Sequence, residues 1–185
     1  KRTNGSNQKG KKPLLINELK QLINAIHQSN EKDKRKTRDK ALVLIGFSGG
    51  FRRSELVNIE YEDLEFVSEG VKIFVKRSKT DQSGEGMTKA IPFFDNEKFC
   101  PVIALKNWIE IFDLKKGKIF SISDKSVALI IKKYASYAGL DSHRYAGHSL
   151  RSGFATSTAE SGAEERNIMA MTGHKSTEMV RRYIK

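Results

Sequence analysis

The chain has 185 residues, a formal net charge of +12 at pH 7 and 38% hydrophobic residues. That length suits one domain with an adequate core, and the charge indicates a polyanionic partner, nucleic acid first, although a generally basic protein has the same balance. Cys100 is the single cysteine, which excludes an intrachain disulfide or a cysteine metal cluster and fits a reducing compartment. We expect neither a membrane span nor a signal peptide, because no apolar run is long enough.

The amino-terminal residues 1–12 differ in composition from the rest. They include five basic residues and no acidic or apolar ones, which is typical of a flexible tail or an interdomain linker. An expression remnant would have the same composition. We therefore expect a basic flexible segment over residues 1–12 and one globular domain over residues 13–185.

Helical patterns follow this segment. Apolar residues recur at i, i+3, i+4 and i+7: Leu19, Leu22, Ile23 and Ile26. They predict an amphipathic helix over residues 16–29. The mixed-charge run at residues 31–40 indicates a surface segment, and the apolar run at residues 41–47 predicts a buried helix. A glycine pair ends that helix, and a short helix is expected to restart near Arg53.

Strand patterns occupy the next part of the chain. Residues 71–75 alternate apolar and polar positions in part, which predicts a strand. Residues 62–67 precede it across a turn, and residues 88–93 follow it after the polar loop 80–86, which reads as a hairpin turn and not as a phosphate cradle. We predict a three-stranded antiparallel sheet at the edge of the domain.

The remaining chain predicts helices. Pro101 suits the first turn of a helix that runs to about Phe112. Ser123 caps a further helix that ends near Gly139. Helices are also expected from about residue 148 to 162, over residues 163–171, and after Ser176. The predicted fold class is therefore mainly α (α+β): a helical domain with a small three-stranded antiparallel sheet at its edge.

Residues suited to phosphoryl chemistry cluster near the carboxyl end. His148 and Arg151 lie at i and i+3, so both can reach one phosphate, and His174 and Tyr183 follow. Far upstream, the stretch Gly-Phe-Arg-Arg-Ser-Glu-Leu supplies Arg52. Arginines can hold a phosphate, histidines can move protons, and a tyrosine can be a nucleophile. Each motif alone is weak: a tyrosine near a chain end more often packs, and an arginine near acids more often forms a salt bridge.

In order and spacing, these motifs resemble the tyrosine recombinase (phage integrase) family, from about residue 13 to Tyr183. The resemblance implies that Tyr183 attacks the scissile phosphate to give a 3′-phosphotyrosyl bond. It assigns Arg52 and Arg151 to the non-bridging oxygens, His148 to proton transfer and His174 to a hydrogen bond with the phosphate.

The basic residues around the hairpin loop are harder to assign from sequence. They are Lys76, Arg77, Lys79 and Lys89. A basic hairpin is usually a solvated or phosphate-contacting surface. The resemblance places a general-acid lysine in this turn, where Lys79 matches best and would protonate the leaving 5′-oxygen.

Further positions receive supporting roles. Glu55 is expected to orient Arg52 from behind, although an arginine in this place could also pair with Glu55 or Glu60 for structural reasons alone. The expected DNA-binding residues are Arg53, Lys76, Arg77 and Lys175. His27 and His143 match nothing in the family and are expected at the surface.

The resemblance implies a site-specific recombinase that cleaves and rejoins duplex DNA. We expect no metal and no cofactor, because the sequence contains neither a carboxylate cluster with metal-binding spacing nor a nucleotide-binding glycine motif. The expected partners are duplex DNA and other copies of the full-length protein, four on paired sites, with this chain monomeric without DNA. No segment matches the family's amino-terminal clamping domain. The resemblance also implies a cytoplasmic, nucleoid-associated protein of bacterial or phage origin.

Two other functions are compatible with these residues. A type IB topoisomerase shares the phosphotyrosine chemistry but relaxes supercoils, and its lysine and spacing patterns match less well. A DNA-binding module without catalysis would use the same basic surface, but it would need none of the six candidate catalytic residues specifically.

Overall fold

The computed structural model describes residues 11–76 and 85–173, together with residues 176, 178 and 181. In chain order its elements are α1 (Ile16–Gln28), α2 (Asp33–Ser48), α3 (Arg53–Val57), β1 (Leu64–Val67), β2 (Gly70–Val75), β3 (Met87–Pro92), α4 (Pro101–Phe112), α5 (Asp124–Tyr137), α6 (Ser149–Glu160) and α7 (Glu165–Thr172). The predicted fold class is confirmed: helices dominate, and the strands form one three-stranded antiparallel sheet.

Helix α2 lies at the centre of the molecule and begins earlier than the apolar run predicts. The charged run lies mostly at the surface, as expected, but α2 starts at Asp33 and includes most of it. Lysine and arginine are good helix formers, so the charged half continues the helix beyond the buried half. Residues 41–47 are buried, and α2 packs against α1, α3, α4 and α6. The other helices predicted before residue 173 lie close to their expected positions, and the helix predicted after Ser176 falls largely outside the described residues.

Asp39, within the charged half of α2, is buried with a relative exposure of 1%. Its carboxylate accepts hydrogen bonds from the hydroxyl of Tyr134 on α5 at 2.9 Å and from the guanidinium of Arg38 at 2.7 Å. Burial, and then the charge of Asp39, raise the pKa of Tyr134 above its ordinary value, so the hydroxyl stays protonated as a donor. These contacts fix α5 to the amino-terminal half of α2.

The sheet has the order β1-β2-β3, and its register sets which side chains face the core. Val71, Ile73 and Val75 of β2 are buried, as is Ile91 of β3. Lys89 pairs with Ile73 across the strands and therefore shares this buried face. A shift of one residue would turn every one of these side chains to the opposite face.

The chain ahead of α1 lies against the start of α6. The Lys12 amide donates to the Arg144 carbonyl at 2.7 Å, and the Leu14 amide donates to the Ser149 carbonyl at 3.0 Å. Gly153 makes this approach possible, since a Cβ there would lie 2.0 Å from the Leu14 carbonyl oxygen. Residues 1–10, most of the predicted flexible segment, lie outside the described residues.

The buried Tyr134–Asp39 hydrogen bond generates a stability prediction. Tyr134→Phe should lower the free energy of unfolding by about 1–3 kcal/mol, because it leaves one oxygen of a buried carboxylate without that donor. Urea unfolding followed by circular dichroism measures the change. Tyr137→Phe is the matched control, since Tyr137 lies on the same helix with a relative exposure of 60%. Equal stability of the two variants would show that the hydrogen bond contributes nothing.

Candidate active site

The site begins at the turn between α2 and α3, residues 49–52, which we call the arginine turn. Gly50 has a φ of +56°, in the left-handed region that favours glycine. A Cβ at Gly50 would also lie 2.8 Å from the Phe154 ring. The Phe51 amide returns to the Gly46 carbonyl at 3.1 Å. This closed turn places Arg52 directly before the first residue of α3.

Arg52 is held by Glu55. The Arg52 amide donates to Glu55 Oε2 at 2.9 Å, and Arg52 Nη1 donates to Oε1 at 2.6 Å. Burial by itself raises the pKa of Glu55, but the hydrogen bonds from Arg52 and the charges of Lys89 and Arg52 outweigh it, so the pKa lies below its ordinary value. Glu55 thus stays ionised and fixes the guanidinium. Glu60, the other acid considered from sequence, instead pairs with Lys76.

Arg151 joins α6 to the arginine turn. It has a relative exposure of 1%, and its Nη1 donates to the Gly50 carbonyl at 2.9 Å. The Arg52 side chain is more accessible, with a relative exposure of 19%. The fold therefore brings together two arginines that are far apart in the sequence, one at the surface of the site and one beneath it.

His148 precedes the first residue of α6 and is exposed to solvent. Partial burial, followed by the charges of Arg151, Arg52 and Arg53, lowers its pKa below the ordinary value of 6.5. The imidazole is therefore neutral at pH 7 and can accept a proton. Arg53 approaches closely, because a Cβ at Gly147 would lie 1.9 Å from its Cδ.

Lys89 corrects the sequence interpretation of the hairpin. It was expected on a basic surface, but its relative exposure is 0%. Its ammonium donates to the carbonyls of Gly49, at 2.7 Å, and Met171, and lies 4.7 Å from the centroid of the Phe51 ring. The alternation of β3 could have revealed this position, since Lys89 and Ile91 are two residues apart and share a face. The basic composition of the hairpin favoured an exposed position for Lys89 instead.

The charge of Lys89 is part of the same site. Burial lowers its pKa to about 7; nearby Glu55 opposes this shift, whereas Arg151 and Arg52 add to it. The ammonium is thus close to three charged residues of the candidate site without reaching solvent itself.

Lys76 has a different environment at the end of β2. Its side chain has a relative exposure of 51% and forms ion pairs with Glu60 and, at 3.1 Å, with Asp63. Its assignment to DNA binding stays a prediction, as does that of Arg53.

Five predicted site residues lie outside the described residues: Arg77, Lys79, His174, Lys175 and Tyr183. The structure does describe the chain that leads to His174, Lys175 and Tyr183. Helix α7 ends at Thr172, and Gly173 takes a φ of +66° with its amide bonded to the Met169 carbonyl at 2.7 Å. Glu178 and Arg181 are helical.

His27 and His143 are exposed, as expected. In the described part of the chain, no group of three or more His, Cys, Asp or Glu side chains is placed to hold a metal ion. None of the helices described there is long and apolar enough to span a bilayer.

Comparisons with known proteins agree with these features. Residues 12–185 match the model of the phage integrase family. An integrase/recombinase xerD homolog of Selenomonas ruminantium is 47% identical over 196 residues, which cover 100% of this chain and 57% of the relative. A tyrosine recombinase of Agathobacter rectalis is 30% identical over 159 residues, covering 84% of this chain and 50% of that protein.

The fold also matches a solved structure. The crystal structure of the XerH site-specific recombinase bound to a palindromic difH substrate has a TM-score of 0.76 at 20% identity, covering 99% of this chain and 51% of that chain. At this identity the match shows the fold. The chain spans about half the length of the relatives it matches.

The low pKa of His148 generates a prediction that needs no DNA. Arg53→Gln should raise the pKa of His148 towards 6.5, because it removes one of the cations that disfavour the imidazolium. An NMR titration of the His148 ring measures it. Arg166→Gln is the control, since Arg166 is exposed on α7 and is not among the cations that lower this pKa. Equal titration of His148 in both variants would refute the electrostatic account.

The same pKa shift has a consequence for stability. A histidine whose folded pKa lies below 6.5 opposes protonation in the native state. The stability that the neutral form of His148 contributes is fully present above pH 6.5. It is lost as the pH falls from 6.5 through the pKa that His148 has in the folded protein.

Proposed function

Because the chain belongs to the phage integrase family, we propose that it is the catalytic domain of a tyrosine-type site-specific DNA recombinase. It cleaves and rejoins duplex DNA through a 3′-phosphotyrosyl intermediate. The observation that carries the proposal is the contact between Arg151 and the arginine turn, which joins Arg52, Glu55 and His148 in one electropositive site.

The arginines stabilise charge on the phosphate. Arg52 is partly exposed, and Glu55 holds its guanidinium fork in one orientation, which suits bidentate contact with non-bridging oxygens. Arg151 adds positive charge from beneath, and its field reaches the site, since it lowers the pKa of His148. A fixed cluster of this kind stabilises a pentacoordinate transition state without needing to reorganise.

Proton transfer accompanies the attack. The Tyr183 oxygen forms a bond to phosphorus, the bond from phosphorus to the 5′-oxygen breaks, and the phenolic proton passes to the neutral imidazole of His148. Lys79 gives a proton to the leaving 5′-oxygen, and His174 donates a hydrogen bond to the phosphate. The charge balance closes because one proton leaves the nucleophile and another joins the leaving group.

Rejoining reverses these steps with a different strand. A 5′-hydroxyl attacks the phosphotyrosine and gives its proton to Lys79, the new phosphodiester bond forms, and the bond from phosphorus to the Tyr183 oxygen breaks as His148 returns the phenolic proton. Because one phosphoester is exchanged for another, the reaction needs no external energy source. The residues proposed here supply the acid, the base and the positive charge that the transfer requires.

The proposed partners follow from the charge and from the matched proteins. The net charge of +12 favours a polyanion, and the matched structure of the XerH site-specific recombinase is a complex with its difH substrate. We propose that duplex DNA is the substrate and that the whole protein forms a tetramer on paired sites, associated with the nucleoid.

A covalent DNA adduct is the first prediction from this function. Nicked duplexes tiled across the DNA that flanks the coding sequence should trap a phosphotyrosyl adduct, detectable as a shifted band on a denaturing gel. Tyr183→Phe should abolish the adduct, because it removes the nucleophilic oxygen. DNA binding by this variant should be unchanged in a gel-shift assay.

The outcomes separate the possible functions. An undiminished adduct in Tyr183→Phe would move the nucleophile to another residue. Salt-sensitive DNA binding without an adduct on any duplex would instead favour the non-catalytic DNA-binding module. Relaxation of supercoiled DNA without exchange between two duplexes would favour the topoisomerase.

The role of Lys79 gives a second prediction. Lys79→Ala should be nearly inactive on ordinary DNA and largely restored on a substrate with sulfur at the 5′-bridging position, because a thiolate leaves without a proton. Single-turnover cleavage of both substrates measures the rescue. Lys76→Ala is the comparison: a weaker defect without selective rescue is expected from a lysine that only helps to hold DNA. Selective rescue of Lys76→Ala would instead assign the general-acid role to Lys76 and the DNA-binding role to Lys79.

A further inference from the structure

The ammonium of Lys89 lies where two helices end. Gly49, which accepts one of its hydrogen bonds at 2.7 Å, is the residue immediately after α2. Met171, which accepts another, is in the last turn of α7. One side chain from β3 thus contacts the carboxyl ends of two helices that are far apart in the sequence.

Helix ends explain why a lysine is stable at this buried position. The last carbonyls of a helix have no partner within it, and the aligned peptide dipoles place partial negative charge there. Lys89 meets two such ends and the face of the Phe51 ring. No carboxylate among the described residues lies within ion-pair distance of its ammonium. The two carbonyls are therefore its principal partners.

Each of the two helix ends leads directly to residues of the active site. Gly49 precedes Gly50, whose carbonyl accepts from Arg151, and Arg52 follows two residues later. Met171 lies two residues before Gly173, and the proposed catalytic residues His174 and Tyr183 follow Gly173 in the sequence. Lys89 is connected through its hydrogen bonds to both groups of proposed catalytic residues.

We propose that Lys89 is a positioning residue of the active site, which holds the arginine turn and the carboxyl end of α7 in fixed relation to each other. This inference rests on the proposed function. Lys89 has a relative exposure of 0% and no access to a substrate, so it acts through the backbone of these two segments and not as the proton donor.

The surroundings of Lys89 make its charge costly. Burial, Arg151 and Arg52 all disfavour its ammonium, whereas Glu55 favours it, and its pKa falls to about 7. A core position filled only for packing would be better served by an apolar side chain. The lysine is instead placed where its donors reach both carbonyls.

Lys89→Met tests the proposal, because methionine keeps a long unbranched side chain and removes the donors and the charge. Lys72→Met is the matched control: Lys72 lies on β2 of the same sheet, pairs with Ala90 next to Lys89, and is exposed. Both variants are made in the chain as printed, and circular dichroism establishes that each is folded.

The first measurement is amide hydrogen exchange without DNA. In Lys89→Met the arginine turn and residues 168–173 should both exchange at least about tenfold faster, since each loses a hydrogen bond from the Lys89 side chain. Lys72→Met should leave both segments as they are. Unchanged exchange, or faster exchange in one segment alone, would overturn the proposed link.

The second measurement separates binding from chemistry. On a nicked duplex that the unmodified chain cleaves, Lys89→Met should bind with unchanged affinity but cleave about 100-fold more slowly in a single turnover, because catalytic groups are misplaced. A 5′-bridging sulfur should not rescue it, in contrast to Lys79→Ala. Cleavage at the unmodified rate, or selective rescue by sulfur, would refute the positioning role.

The two measurements also distinguish this inference from the proposed function. Faster exchange in both segments, with no cleavage by the unmodified chain, would count against the recombinase reaction and leave the link between the helix ends supported. Normal cleavage by Lys89→Met would count against the inference alone. If Lys89→Met does not fold, Phe51→Leu removes the ring beneath the ammonium and should loosen both segments to a smaller extent; loosening of neither would overturn the proposal.

Discussion

Two consecutive backbone carbonyls, those of Gly49 and Gly50, are the contacts on which the site depends. Lys89 from β3 donates to the first, and Arg151 from α6 donates to the second. The arginine turn is therefore fixed from two directions by side chains that belong to other elements. A loop held only by its own backbone samples more conformations. Here the position of Arg52 is set by the packing of the whole domain.

This arrangement concentrates positive charge around one buried acid. Arg52, Arg151 and Lys89 all act on the same region, and Glu55 is the carboxylate that offsets them. The repulsion has two consequences. Together with partial burial, which lowers the pKa of His148 most, it keeps this imidazole neutral and able to accept a proton, and it leaves the site with an excess of positive charge. In the proposed function, a DNA phosphate supplies the balancing negative charge, so substrate binding relieves a cost that the empty site carries.

Local signals predicted much of the fold. The apolar spacing of α1, the Ser123 cap of α5 and the glycines after α2 and α7 all act within one or two helical turns, and the corresponding helices form as expected. The contact between Arg52 and Glu55 is equally local, since the two residues are three apart at a helix start. The charged run of α2 is mostly at the surface as expected, but the start of the helix within it was missed, because charge predicts exposure more directly than it predicts where a helix begins.

The sequence by itself determined the secondary structure, the family and which side chains have suitable chemistry, because those follow from residue type and short spacing. The tertiary structure alone decided which distant residues meet. Arg151 contacts Gly50, and Lys89 contacts both Gly49 and Met171, across separations that no periodic pattern encodes. Lys89 shows the difference most clearly: its charge predicts solvent, but strand register turns it inward, where two helix ends provide the carbonyls that it needs.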